Sequence, residues 1–176
     1  MATKKPVDPR ATGIVKQMAR KLQDDIVEMG KLRNGPPPKT FPQFREIRNK
    51  HRDIQALLFT IQDRLPDTGD ELPASLPQWL VRQKLNELAY FTDISHAFIS
   101  NPPLALTHSL GAFDVLKSEQ AAFKEVLGYF DMMLFEAGID DKTADELDAT
   151  RTKIEATLGM IEHLLEASPK VLQEFD

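Results

Sequence analysis

The stretch from Phe44 to Asp53 reads FREIRNKHRD and sets Arg45, Arg48, Lys50 and Arg52 around one histidine, His51. These residue types can do one kind of chemistry together. Imidazole titrates near neutral pH and moves a proton, while a guanidinium stays charged and can hold a phosphate oxygen or a developing anion. On a helix, His51 falls within roughly 40° of the centre of an apolar seam, at 100° per residue. That seam is Phe44, Ile47, Ile54, Leu58, Ile61 and Leu65. Arg45, Arg48 and Arg52 form a stripe along its edge. The same placement suits a histidine without chemistry, bonded to a loop carbonyl, beside arginines whose stems lie on apolar surface and whose heads stay wet.

Arg45 and His51, with IRNK between them, resemble the Arg-x(4–6)-His motif of HEPN ribonucleases, which are all-α bundles of about this size. The resemblance implies His51 as a proton-transfer group and Arg45 as a fixed positive charge at a scissile RNA phosphate, in a site that two subunits usually complete. Glu46 follows Arg45 where that family prefers Asn or Asp, and the motif lies in the second helix, not late in the bundle. RNA binding without cleavage would draw on the same basic residues, with Lys4, Lys5, Arg10 and Lys39 added.

Charge is unevenly spread over the 176 residues. Residues 1–53 hold 13 Lys/Arg against 6 Asp/Glu, residues 54–100 hold 3 against 6, and residues 101–176 hold 6 against 15. A basic head and an acidic tail point to an anionic partner at the head or to pairing between the two ends. Within the first helix, Arg20–Asp24 and Lys21–Asp25 have i,i+4 spacing, as on a solvated face. There are no cysteines, which excludes disulfides, thiolate metal sites and a Cys nucleophile. Phosphate-cradling glycine loops and hydrolase triads are missing. Asp93-x-x-His96 has no matching motif on a second helix, so no metal and no cofactor is expected. The first residues, MATKKPVDPRATG, lack the apolar run of a secretory leader, and no segment approaches a membrane span of roughly 18 apolar residues. A cytoplasmic location follows as the expectation; export by an unmarked route would leave the same sequence.

Five segments carry helical periodicity, and no strand pattern competes. The first spans about Thr12 to Arg33 and stops at NGPPPKTFP, where Asn34 and Gly35 suit a C-cap. The second runs from about Pro42 to Leu65 and the third from Pro77 to about Ser100. The fourth spans Ser109 to Ala137. The fifth opens on TADE, where Thr143 and Glu146 form a capping box, and continues to Ser168–Pro169 before a short terminal turn. Helices of this length on short loops predict an all-α, antiparallel bundle of about five helices, with a flexible basic arm at residues 1–9 and one domain over residues 10–176.

The fourth helix contains VLGYFDMMLF, Val126 to Phe135, with Asp131 its only charge. Leu127, Phe130 and Leu134 continue the seam of Phe113, Leu116 and Phe123. A helix apolar on all faces is central in its domain or covered by a partner. With no chemistry favoured, the expected function is a non-enzymatic protein interaction module, an adaptor, regulator, inhibitor or small effector. It would bind another protein or a second copy of itself through Tyr129, Met132, Met133 and Phe135, with Arg45, Arg48 and Arg52 as an electrostatic surface. The alternative is the RNA-cleaving or RNA-binding bundle that uses Arg45 and His51.

Overall fold

The computed structural model describes residues 9–69, 71–104, 107, 111–133 and 139–167. Among them five α-helices form an all-α bundle: α1 (Pro9–Asn34), α2 (Phe41–Arg64), α3 (Leu76–Ser100), α4 (Ala112–Met133) and α5 (Asp141–Ala167). A 3₁₀ turn, Leu65–Thr68, follows α2. The arm before α1, the end of the expected fourth helix and the terminal turn lie largely outside the described residues.

The local signals explain most boundaries. Thr40 caps α2 by accepting from the Gln43 backbone N–H, and Pro42 sits in the first turn, where a missing N–H costs nothing. Gly69, at φ 58°, turns the chain after the 3₁₀ segment in a conformation that L side chains rarely adopt. The start of α5 departs from the expected capping box. Asp140, not Thr143, is the cap: its Oδ1 accepts from the Thr143 backbone N–H at 2.8 Å. A carboxylate is a stronger acceptor than a hydroxyl at the positive end of a helix, and hydrogen bonding from the Thr143 side chain, then from its backbone N–H, holds the Asp140 pKa below its ordinary value. Glu146, freed from any capping role, pairs with Arg82 at 2.6 Å.

Contacts between helices fix the topology. Thr12 meets Glu71, just ahead of α3, and Arg33 meets Asp93, so α1 and α3 run the same way. Arg82–Glu146, Asp93–Lys153 and His96–Thr157 set α5 parallel to α3 as well. Phe44 stacks on Phe98 and His51 reaches Glu87, so α2 runs against them. Gln120–Glu162 and Asp131–Arg151 do the same for α4 against α5. The helices therefore alternate up and down in two layers. α1, α3 and α5 form one layer. In the other, α2 lies over the α1/α3 furrow and α4 packs chiefly on α5.

This arrangement corrects the centre of the bundle. α3, not α4, is the central helix, with Leu80, Val81, Leu85, Leu88, Phe91, Ile94, Phe98 and Ile99 buried around it. α4 is one-sided. Leu116, Phe123, Val126, Phe130 and Met133 are buried, while Leu127 and Tyr129 are half-buried and Met132 is exposed. Its seam passes through Val126 and Met133, a face adjacent to the expected one. Phe44, Phe91, Phe98 and Phe123 tie the layers together, with ring centroids 4.4 to 6.5 Å apart. Such pairs add about 0.5–1.5 kcal/mol each beyond the area they bury. Gly30 lets α1 approach α3 closely: a Cβ there would stand 3.3 Å from the Tyr90 ring.

Candidate functional site: the groove between α2 and α4

Helices α2 and α4 are parallel neighbours in the upper layer, but side chains hold them apart. Between them lies a cavity of about 430 Å³. Its floor comes from α3 through Phe91. Its walls carry His51, Gln55 and Phe59 from α2, and Val126 and Tyr129 from α4.

Beneath the groove, the packing between α2 and α3 is polar where a bundle is normally apolar. Glu87 of α3 is fully buried. His51 donates from Nδ1 to Glu87 Oε1 at 2.5 Å, and Gln55 Nε2 donates to Glu87 Oε2. His51 and Gln55 are one turn apart on α2, so a single carboxylate accepts from both. The imidazole also stacks on Phe91, 4.0 Å between centroids and 12° from parallel. Ring and carboxylate together fix the histidine's orientation, and its Nε2 has no hydrogen-bond partner among the described residues. The Gln55 amide is fixed as well, because reversing it would set its carbonyl against the carboxylate. Gln55 Oε1 is buried and has no partner among the described residues.

A second buried acid joins the two helices. Glu119 of α4 forms an ion pair with Arg48 of α2, and both side chains are largely enclosed. Burial raises the Glu119 pKa above its ordinary value, while Arg48 and Arg52 pull it back. On the α4 wall, the Tyr129 hydroxyl donates to Glu125 Oε1 at 3.3 Å. Burial, then the charges of Glu125 and Glu87, push the tyrosine pKa up. Phe59, 54% exposed, lies across the groove.

The sequence candidates divide accordingly. His51, Arg48, Arg52 and Tyr129 border the groove. Arg45 does not. It is exposed and about 120° round α2 from His51, so Arg45 and His51 do not converge. Met132 is 60% exposed on the α4 face that continues from Tyr129, whereas Met133 is fully buried in the core and has no surface to offer a partner. Phe135 lies outside the described residues. Of the two i,i+4 pairs expected on α1, Lys21–Asp25 closes at 2.6 Å; Arg20 and Asp24 form none among the described residues. Among the described residues, Arg48–Glu119 joins basic head to acidic tail directly.

Glu87, Gln55 and Glu119 were not anticipated, though a signal exists for both acids. Glu87 occupies a seam position in Leu80, Lys84, Glu87, Phe91, Ile94 and Phe98, and Glu119 does so in Leu116, Glu119, Phe123, Val126 and Phe130. A carboxylate where a seam requires a hydrophobe marks a buried partner, as His51 does in α2. Gln55 lies off the α2 seam, and its burial follows only from where α4 lies.

Among the described residues no group of three or more His, Asp or Glu side chains is placed to hold a metal ion. Asp93 pairs with Arg33 and Lys153, and His96 with Thr157. No described helix is long and apolar enough to cross a membrane. Fold and site together define an all-α bundle with a groove between two parallel helices, above a buried polar cluster. No family model, curated protein or solved structure matches the chain.

Proposed function

We propose that this protein is a non-enzymatic interaction module that accepts a segment of another protein in the α2/α4 groove. One observation carries the reading: two parallel helices stand apart over a central helix, and the opening is rimmed by Phe59, more than half exposed, and Tyr129, with Met132 on the same α4 face. Large apolar side chains beside an unfilled groove favour a partner that buries them, and aromatic and methionine residues are enriched at such contacts. The partner surface is therefore Phe59, Tyr129 and Met132, with Arg52 at its edge. Met133 supports it from within.

A matched pair of variants tests this. Tyr129→Glu with Met132→Glu places charge only on half-buried and exposed positions. It is expected to lower affinity for a partner captured from the native cells at least about tenfold, since one interface anchor is worth about 2 kcal/mol. Circular dichroism and the urea midpoint should stay near wild type. Retained partner affinity in the folded double variant would reject the groove as the interface.

A second reading has one observation in its favour, a histidine oriented by a buried carboxylate and bordering a groove that also holds two arginines. Under it His51 moves the proton and Arg52, rather than Arg45, faces an RNA phosphate. Glu125 on the groove wall and the chain's net charge of −5 oppose a polyanion, and Arg48 is already paired with Glu119, which places this reading second.

A further inference from the structure

We infer that the groove's partner is an acidic segment: one of its carboxylates pairs with Arg52 at the α2 rim, and an apolar side chain about two turns away packs on Phe59 and Tyr129. This rests on the interaction reading and names the chemistry of its partner.

Helix α2 sorts its charges by side. Glu46, Lys50 and Asp53 line the furrow with α1, where Lys50 pairs with Glu28 and the field of Asp53 reaches Lys21. Toward α4 the helix presents arginines, and Arg48 and Arg52 line the groove. Arg48 is committed to Glu119. Arg52 is exposed and closes no ion pair among the described residues, although its field acts on Glu119. Arg45, Arg52 and Phe59 stand seven residues apart, so each falls within about 20° of the last at 100° per residue. One edge of α2 therefore reads cation, cation, aromatic at intervals of about 10.5 Å. Arg45 carries that edge beyond the groove, also exposed and without an ion pair among the described residues.

This pattern selects among occupants. A lysine- or arginine-rich segment would set its cation beside Arg52. A wholly apolar segment would cover the guanidinium and take it from water with nothing to pair it. A carboxylate matches the planar fork of the arginine and completes the pair. The α4 wall separates a peptide from a nucleic acid. Glu125 stands there and accepts from the Tyr129 hydroxyl. A phosphate chain carries charge at every unit and meets that acid, whereas a peptide can turn an N–H donor or an apolar side chain toward it. The chain's net charge of −5 repels a partner in proportion to the partner's own charge, so one or two carboxylates meet far less opposition than a polyanion. Two turns along from Arg52, Phe59 is 54% exposed and Tyr129 half-buried, ready to take the segment's apolar side chain.

The test titrates the full chain, isotopically labelled, at fixed ionic strength, with the Arg52 Nε–H and the rings of Phe59 and Tyr129 as NMR reporters. The first probe is a capped helical peptide of about twelve residues, roughly 18 Å long, with glutamates in one turn and leucine and phenylalanine two turns on. The second carries lysines in place of the glutamates, and the third is a short oligouridylate. The acidic peptide is expected to shift all three reporters saturably. Arg52→Gln, an exposed change, should weaken it about tenfold, the loss of one charge-assisted bond, with a urea midpoint near wild type. Arg52→Glu should turn the preference toward the lysine peptide. Equal or tighter binding of the lysine peptide to the wild-type chain would overturn the inference, as would the absence of any saturable shift with the acidic peptide. Preferred binding of the oligouridylate would overturn it in favour of the RNA reading. Shifts of the same reporters on concentrating the free protein would give the groove to a second copy and overturn it as well. A captured partner that is lost in the Tyr129/Met132 variant, yet kept by Arg52→Glu, would sink the acidic anchor and leave the interaction reading intact. A partner lost with Arg52→Glu and kept by the Tyr129/Met132 variant would reject the groove and leave only the acid–arginine contact.

Discussion

Helix α3 carries two carboxylates, each holding two partners, and their surroundings differ. Glu87 is fully buried and accepts from His51 and Gln55. Asp93, two turns nearly on, keeps a fifth of its side-chain surface and pairs with Arg33 and Lys153, each at 2.5 Å. Asp93 ties three helices together at a wet surface, where water can replace either cation and the Arg33 guanidinium also lies over the Tyr90 ring at 5.3 Å. Glu87 has no such substitute. The number of bonds is the same, but the cost of losing them is set by what replaces them. The buried cluster thus defines a geometry, whereas the exposed one is a staple.

The largest effect should come from breaking the buried hub. Glu87→Ala strands His51 and Gln55 without acceptors beneath the groove and is expected to cost about 3 kcal/mol in urea unfolding. Asp93→Ala leaves two cations already in contact with solvent and should cost about 1 kcal/mol or less by the same measurement. Equal losses for the two variants would erase the distinction drawn here.

The smallest effect sharpens the contrast within the groove. Glu119 has its pKa raised by burial above the ordinary 4.5. Between that value and its raised pKa the folded protein binds more protons than the unfolded chain, so stability falls as pH rises through this window. Glu119→Gln should flatten the slope of the urea midpoint against pH there. An unchanged slope would show that Arg48 compensates the buried charge fully.

Helix periodicity, proline stops and the lack of strand patterning were enough to read the five helices, because those signals are local and act on neighbours three or four residues away. The apolar core of α2 was legible for the same reason, down to His51 within its seam. What lay beyond reach was lateral. Whether Val126-to-Phe135 or α3 occupied the middle depended on which helices pack together, and both are rich in apolar residues. The end of α5 facing Asp140 shows the same limit on a small scale: Asp140 and Thr143 are both competent caps, and only the path of the chain chose between them.

For this protein the sequence by itself determined the helices, their breaks and the placing of one histidine and two acids at seam positions where hydrophobes belong. Only the tertiary structure decided that Glu87 meets His51 and Gln55, that Arg48 and not Arg45 faces the groove, and that Met132 rather than Met133 reaches solvent. The physical reason is that periodicity assigns a residue to a face of its own helix, whereas partners 32, 36 and 71 positions apart meet only once five helices have packed.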